Sequence, residues 1–151
     1  MEYSIKSFDE LSKSELYSIL SIRNKVFVVE QNCSYQDPDG KDFDSFHLMV
    51  KPSNSNKIIA YIRIILQDPI YEQSSISRVL VDRKYRGNGI ARHMLNKGIK
   101  FIRNNSQEDG IKLSAQEYLI PFYKSLGFKA VSDIYLEDGI PHVEMVYQFN
   151  L

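Results

Sequence analysis

The most informative stretch of the chain is Val79–Ala91, VLVDRKYRGNGIA, in which a β-rich run ends in a basic turn with two glycines. An amphipathic pattern follows at once and predicts a helix from Ile90. The N-terminus of a helix presents free backbone N–H groups, and the helix dipole favours negative charge there. Gly87 and Gly89 leave the main chain open to close approach. Four cationic side chains surround the turn: Arg83, Lys84, Arg86 and Arg92. The stretch therefore predicts a binding site for a pyrophosphate.

Other phosphate-binding loops fit this turn less well. The Walker motif requires Gly-x-x-x-x-Gly-Lys-Ser/Thr, and the chain does not contain it. The dinucleotide motif requires a third glycine where Arg92 stands, so Gly87-x-Gly89 gives only weak support to a nicotinamide or ATP site. The plain alternative is a β-to-α turn whose glycines permit tight geometry and whose arginines are solvated.

Length and composition predict one soluble domain spanning residues 1–151. The chain is 43% hydrophobic and 25% charged, which is enough apolar material for a core without disulfides. Nineteen basic residues balance nineteen acidic ones, so neither a nucleic acid nor a membrane is expected as a partner. Cys33 is the single cysteine and cannot form an internal disulfide, which indicates a cytoplasmic setting. The oligomeric state stays open between monomer and homodimer.

The hydrophobic pattern predicts the element order β-α-β-β-β-α-β-α-β-β. The predicted strands cover residues 3–8, 46–51, 58–66, 75–81, 111–115, 128–136 and 142–149, and the helices cover about 12–27, 90–103 and 119–126. Ser12 and Glu15 have capping-box spacing, and Gly127 is placed to end the third helix. This order predicts an α/β (α+β) domain. Its mixed, mostly antiparallel central sheet of about six to seven strands would be flanked by helices.

Two motifs resemble the signatures of the GNAT N-acetyltransferase superfamily. RGNGIA at residues 86–91 is similar to its acetyl-coenzyme A signature, and FYKSLGF at residues 122–128 resembles its second signature, F-Y-x-x-x-G-F. Three further segments, at residues 23–31, 35–47 and 137–142, resemble the ElaA-like branch. The resemblance covers nearly the whole chain. It implies the GNAT fold and the use of acetyl-CoA as co-substrate.

The resemblance also implies roles for the residues around the turn. The strand before the turn would expose its backbone to the pantetheine arm, and the N–H of Leu80 would donate to the thioester oxygen. Such a donor stabilises the transition state by roughly 2.7–4 kcal/mol. The implied cofactor-binding residues are Val79, Leu80, Val81, Arg86, Gly87, Asn88, Gly89, Ile90 and Ala91. Ordinary buried-strand packing is the alternative for residues 79–81, and both can hold for one strand.

Acetyl transfer to an amine requires a base and benefits from an acid. An amine with a pKa of about 10.4 must lose a proton before it attacks, and the leaving thiolate is helped by a proton donor. Tyr123 stands where the superfamily often places that acid, although its spacing from Leu119 also suits a core aromatic. The base stays open among His47, His142 and Glu30, because each histidine can instead order a loop by hydrogen bonding.

An acidic loop follows the first predicted helix and contains Asp37, Asp39, Asp42 and Asp44. Gly40 is in the wrong register for an EF-hand and no glutamate stands at the twelfth position, so no metal site is predicted. The loop, together with Glu30, could attract a cationic amine. The substrate-binding candidates are then Glu30, Asp37, Asp39, His47 and His142. The alternative is a solvated turn whose aspartates cap local N–H groups.

These patterns together predict an acetyl-CoA-dependent N-acetyltransferase. It would move an acetyl group to a primary amine of a small molecule or peptide within a ternary complex. Direct transfer is favoured over a ping-pong route because Cys33 is the sole thiol and lies outside both signatures. The competing interpretation is a non-catalytic acetyl-CoA-binding sensor or interaction module.

Overall fold

Eight strands and three α-helices make up the computed structural model, which describes residues 1–149. The strands are β1 Glu2–Ser7, β2 Phe46–Lys51, β3 Ala60–Asp68, β4 Gln73–Val81, β5 Gly110–Gln116, β6 Lys129–Ala130, β7 Tyr135–Glu137 and β8 Ile140–Gln148. The helices are α1 Lys13–Arg23, α2 Ile90–Asn105 and α3 Ile120–Ser125. Short 3-10 turns at Lys41–Asp44 and Arg83–Tyr85 lead into β2 and the glycine turn.

The strands form one mixed sheet in the order β1-β2-β3-β4-β5-β8-β6, with β7 also pairing with β8. The predicted fold class is confirmed, because β4 and β5 are parallel and the other described pairs are antiparallel. The single run predicted at residues 128–136 is divided into β6 and β7. Residues 131–134 lie between β6 and β7, whereas only two residues of β8 lie between the partners of these strands. The two additional residues cannot pair with β8, so the strand is interrupted there.

The first helix is also divided. The capping box is confirmed, since the Glu15 N–H donates to Ser12 Oγ over 3.0 Å and the Ser12 N–H donates to Glu15 Oε1 over 2.9 Å. The prediction of one regular helix to residue 27 is wrong, because α1 continues as a π-helical segment, Asn24–Glu30. A π-helical turn is only slightly wider than an α-helical turn, so apolar residues keep nearly the same spacing in both. The periodicity of the sequence therefore did not distinguish the π-helical segment from α1.

Helices cover both faces of the sheet. On one face α2 packs its buried side chains against β3 and β4, and Gly98 permits the close approach. A Cβ added at Gly98 would lie 2.7 Å from Ile62 Cδ1. On the other face α1 and the π-helical segment bury Ile19, Ile22 and Val26 against the sheet. The sheet therefore has an apolar cluster on each face, and these two clusters hold the central strands in place.

The central strands β4 and β5 separate soon after they meet. Their parallel pairing is confined to Ser74 with Ile111 and Ser75 with Lys112. A bulge also interrupts the pairing of β4 with β3. Two residues lie between Ser77 and Leu80 on β4, whereas one residue lies between their pairing partners on β3. Arg78 lies in this bulge with a φ of +55°. A bulge bends its strand and re-aims a side chain. The result is a V-shaped opening with a free backbone edge.

Candidate active site

The opening between β4 and β5 leads into a cavity of about 1050 Å³, a volume that includes its open mouth. Val79 of β4 and Leu113 of β5 line its two sides. Tyr123 of α3 and His142 of β8 face the same space. Residues of the acidic loop and of the β7–β8 turn complete the walls. A concave site with a few convergent polar groups is the usual form of a small-molecule site.

The glycine turn lies beyond the end of β4 and opens toward solvent. Gly87 and Gly89 have φ values of +83° and +76°, a region that only glycine adopts at low cost. A Cβ at either position would meet no atom within 4 Å, so backbone conformation rather than crowding requires glycine here. Gly89 has no side chain to cap α2, which begins at Ile90. The first N–H groups of α2 are therefore open to an anion.

Glu30 lies at this turn and not in the cavity. Its carboxylate forms an ion pair with Arg86 at 2.7 Å, and a second Arg86 nitrogen donates to it over 3.0 Å. Arg86 Nε also donates to the carbonyl oxygen of Val81 over 2.8 Å. Glu30 therefore orients an arginine of the predicted pyrophosphate site. The expectation that Glu30 acts as a base or binds an amine is corrected, because Glu30 does not line the cavity.

The free edge of β4 presents Val79 and Val81, and the prediction of Leu80 as the donor is corrected. The Asp82 N–H donates to Ile59 O over 2.7 Å, across the β3 side of the strand. Backbone groups alternate along a strand, so the Leu80 N–H also points toward β3. Val81 faces the opposite edge, where its carbonyl accepts the bond from Arg86. By the same alternation, the N–H of Val79, which lines the cavity, points away from β3 and is free.

Tyr123 is placed by aromatic packing with its hydroxyl in reach of the cavity. The side chain is 4% exposed, and its ring packs edge-on against Phe122 and Phe128 with centroids 5.4 and 5.7 Å away. Within residues 1–149 the hydroxyl has no hydrogen-bond partner, so it is available to a ligand. Burial raises the pKa of Tyr123 above its usual value, so the phenol stays protonated at physiological pH. Both interpretations of Tyr123 apply, since it is a core aromatic and lines the cavity.

His142 reaches the cavity in a defined tautomer. Its Nδ1 lies 2.7 Å from the carbonyl oxygen of Ile140, which only accepts, so Nδ1 carries the proton. Nε2 of the neutral ring is then an acceptor, and it lies 3.4 Å from a carboxylate oxygen of Glu137. The ring also stacks on Tyr135. This arrangement suits a group that takes up a proton at Nε2 and is stabilised by Glu137 once charged.

His47 does not reach the cavity, and its assignment as base or substrate ligand is corrected. The side chain is 0% exposed on β2, and Nε2 donates to the Asp42 carbonyl oxygen over 3.0 Å. Nδ1 therefore accepts from the hydroxyl of Tyr61 at 2.6 Å. Burial lowers the pKa of His47. A neutral ring with both nitrogens occupied orders the acidic loop, as in the alternative considered from the sequence.

The acidic loop is neutralised by three arginines. Asp37 is 5% exposed and pairs with Arg23 at 2.7 Å and Arg78 at 2.8 Å. Asp39 receives two bonds of 2.8 Å from Arg63. The prediction that Asp37 and Asp39 attract a cationic amine is corrected accordingly. Arg63 and Arg78 were not predicted as site residues, although a cation inside an apolar strand run must be paired and so signals a buried ion network.

Residues 24–149 match the acetyltransferase (GNAT) domain family. The chain belongs to the GNAT acetyltransferase family. A UPF0039 protein of Schizosaccharomyces pombe is 44% identical over 147 residues, or 96% of this chain and 95% of that protein. ElaA of Escherichia coli is 37% identical over 145 residues, with the same coverage of both chains.

Two solved structures share the GNAT fold, and their sequence identity to this chain is comparable with that of the Escherichia coli relative. The crystal structure of Escherichia coli ElaA has a TM-score of 0.90 at 36% identity, and it covers 98% of this chain and 100% of that chain. An acyl-CoA N-acyltransferase from Pseudomonas aeruginosa has a TM-score of 0.88 at 34% identity, with 97% and 99% covered. The predicted GNAT family and ElaA-like branch are confirmed.

Membership in the GNAT family makes the protein an acyltransferase by class, and the site geometry agrees with that class. Val79 on the splayed edge of β4 and Tyr123 of the aromatic motif line one cavity, and the glycine turn at residues 86–91 follows the end of β4. Within residues 1–149, no helix has the length and apolar character needed to cross a bilayer.

Proposed function

We propose that the protein is an N-acetyltransferase that moves the acetyl group of acetyl-CoA to a primary amine by direct transfer in a ternary complex. One observation carries the proposal: the free edge of β4 leads from the glycine turn to a cavity shared by Tyr123 and His142. A long ligand along that edge would place one end at the turn and the other between these two side chains.

The residues present fit coenzyme A as the co-substrate. The N–H groups from Gly87 to Ala91, with the Arg86 guanidinium, would hold the pyrophosphate. Asn88 supports the turn, since its Nδ2 donates to Tyr85 O over 3.2 Å. Val79 and Val81 offer backbone groups to the amides of the pantetheine arm. The N–H of Val79 is the proposed donor to the thioester oxygen, where negative charge builds during transfer.

Two side chains would move the protons. His142 Nε2 takes the proton that the acceptor amine must lose, directly or through a water molecule. The amine nitrogen then bonds to the acetyl carbonyl carbon, and the carbon–sulfur bond breaks with its electron pair going to sulfur. Tyr123 donates its hydroxyl hydrogen toward the departing thiolate. The products are an N-acetylated amine and free CoA. Cys33 is not needed as a nucleophile in this route.

The proposal extends to the whole chain and its setting. Residues 1–151 form one catalytic domain, with α1 and the π-helical segment contributing Glu30 to the phosphate turn. A cytoplasmic location is part of the proposal, because the one free thiol, Cys33, suits a reducing compartment.

Thiol release distinguishes an enzyme from a non-catalytic binder. The purified protein should release CoA thiol from acetyl-CoA when it is supplied with a panel of primary amines, amino acids, polyamines and peptides. Each active acceptor should gain one acetyl group by mass spectrometry. Binding of acetyl-CoA without release against any amine would instead support the sensor or interaction module.

His142→Gln should lower kcat/KM by about 10²-fold or more, because the amide cannot accept the proton. The rate should be measured across pH with an active acceptor from the panel. His93→Gln is the matched control, since His93 is exposed on α2 and packs against Tyr3. An unchanged kcat/KM in His142→Gln would show that another group, or bulk water, removes the proton.

A further inference from the structure

Arg78 presents an unpaired donor face to the cavity. Its Nε donates to Asp37 Oδ1 and its Nη2 to the Asp37 carbonyl oxygen, each over 2.8 Å, and Nη2 also donates to Asp39 Oδ2 over 3.4 Å. The guanidinium also lies over the ring of Tyr35, with Cζ 5.8 Å from the centroid. Within residues 1–149, Nη1 donates to no acceptor. The guanidinium is therefore fixed in orientation with two N–H groups left for a ligand.

The backbone at Arg78 is held in an unusual conformation to achieve this. A φ of +55° is uncommon for a residue other than glycine and costs on the order of 1–3 kcal/mol. The β4 bulge re-aims the arginine, whose side chain is 19% exposed where the cavity begins. Arg23 already pairs with the Asp37 carboxylate. An ion pair between Arg78 and Asp37 that served only stability would therefore not require the free N–H groups of Arg78 to face the cavity.

A second cation lines the same wall. Lys41 faces the cavity, and among the described residues its Nζ has neither a hydrogen bond nor an ion pair. The cations on this side of the cavity are Arg23, Arg63, Arg78 and Lys41, and the carboxylates among them are Asp37, Asp39 and Asp42. Asp44 of the same loop is exposed and does not line the cavity, so Lys41 is a charge at this wall outside the paired network of the described residues. This wall therefore favours an anion.

The other side of the cavity has the opposite sign. Glu137 and Asp138 of the β7–β8 turn line it. Asp68, at the end of β3, also lines the cavity and is buried, and among the described residues its carboxylate accepts only from Ser75 Oγ and the Ile70 N–H. His142 lies on this side beside Glu137. The cavity is thus bipolar, with free positive charge at the β4 bulge and negative charge near the proposed proton acceptor.

We propose that the acceptor is a small amine that carries a free carboxylate, of the α-amino acid class, and that Arg78 and Lys41 bind this carboxylate. The proposal rests on the proposed function, because the amine must reach the thioester near Val79 and His142. Arg78 directly precedes Val79 on β4, so the anion site adjoins the transfer site. Guanidinium–carboxylate hydrogen bonds are short and strong, and they fix orientation as well as affinity. The acidic side of the cavity accommodates the cationic amine before it loses its proton.

The test compares matched acceptors in the presence of saturating acetyl-CoA. The L-amino acids, their α-amides and the corresponding amines without a carboxylate are assayed by CoA thiol release. The free acids should exceed their amides by about 10- to 100-fold in kcat/KM, the range expected for hydrogen bonds to a charged group. The ratio of acid to amide is the readout, because a general loss of activity cancels from it.

Two variants locate the carboxylate site. Arg78→Gln should bring the acid-to-amide ratio close to one. Lys41→Met should lower it by a smaller factor and leave the fold intact, since Lys41 Nζ has no partner in the described protein. Arg103→Gln is the matched control, because Arg103 is exposed on α2 and packs on Phe149 away from the cavity. The control should keep the wild-type ratio.

Three results would overturn the carboxylate site. Amides could be used as well as acids, the ratio could survive in both Arg78→Gln and Lys41→Met, or a protein that binds acetyl-CoA could acetylate only amines without a carboxylate. A folded protein that fails to bind acetyl-CoA at all would instead contradict the proposed function. The two failures are therefore distinguishable.

Discussion

Replacing Tyr123 with phenylalanine should lower kcat by about 10²- to 10⁴-fold, the usual contribution of a positioned acid or base. The substitution removes only the hydroxyl, and the ring keeps its contacts with Phe122 and Phe128. Stability should change little, since the described residues give this hydroxyl no hydrogen-bond partner. The measurement is kcat by thiol release, together with the melting temperature and the affinity for acetyl-CoA, both of which should stay close to wild type.

Tyr147→Phe is the matched control for this experiment. Tyr147 packs against the same Phe128, at a centroid distance of 5.4 Å, but does not line the cavity. Its variant should keep the wild-type kcat. An unchanged kcat in Tyr123→Phe would mean that the thiolate leaves without this acid and that Tyr123 serves only the aromatic cluster.

Replacing Arg23 with methionine should lower the free energy of unfolding by about 3–5 kcal/mol, the cost of removing one partner of a buried ion pair. Arg23 is fully buried and bonds to Asp37 at 2.7 Å and to Asp42 at 2.6 Å. Methionine fills much of the volume but leaves two buried carboxylates with one cation fewer. Urea denaturation at neutral pH measures the loss, and the exposed Arg103→Met should change the free energy of unfolding by less than about 0.5 kcal/mol.

The loss should depend on pH in a defined direction. Burial alone would raise the pKa of Asp42, but the hydrogen bond and charge of Arg23, with those of Arg63, hold it below the usual value. Asp42 therefore stabilises the wild type above the unfolded pKa, and that stability is lost as the pH falls through the folded pKa. Without Arg23 the pKa of Asp42 rises. The gap between wild type and variant should be widest at neutral pH and smallest at a pH below the lowered folded pKa of Asp42. An equal gap at both would assign the effect to lost packing.

The sequence was most informative where local chemistry demands particular residues. Gly87 and Gly89 adopt positive φ values, so the turn that they predict follows from backbone sterics alone. The Ser12–Glu15 capping box and the position of Gly127 after α3 are also local features. Apolar alternation gave β2, β3, β4, β5 and β8 within a few residues, because each has buried positions. It gave one strand at residues 128–136, where β6 and β7 have none. The ElaA-like resemblance then connected these elements into a fold.

The site residues were less predictable because they depend on contacts between distant segments. Glu30 pairs with Arg86 only because the π-helical segment brings it to the turn. Asp37 meets Arg78 through the β4 bulge, which leaves no clear periodic signal in the sequence. The direction of the Leu80 N–H depends on strand pairing with β3, which residue types do not specify. His47 and His142 look alike in sequence and both are buried. They differ because both ring nitrogens of His47 are hydrogen-bonded inside the protein, whereas His142 lines the cavity.

The most direct test of the proposed cofactor site is calorimetric titration of the folded protein with acetyl-CoA. Docking of the pyrophosphate on the amides of Gly87 to Ala91 predicts saturable binding of one molecule per chain, weakened in Arg86→Ala. Absence of saturable heat with properly folded wild-type protein would contradict the site and, with it, the acetyltransferase activity proposed for this chain.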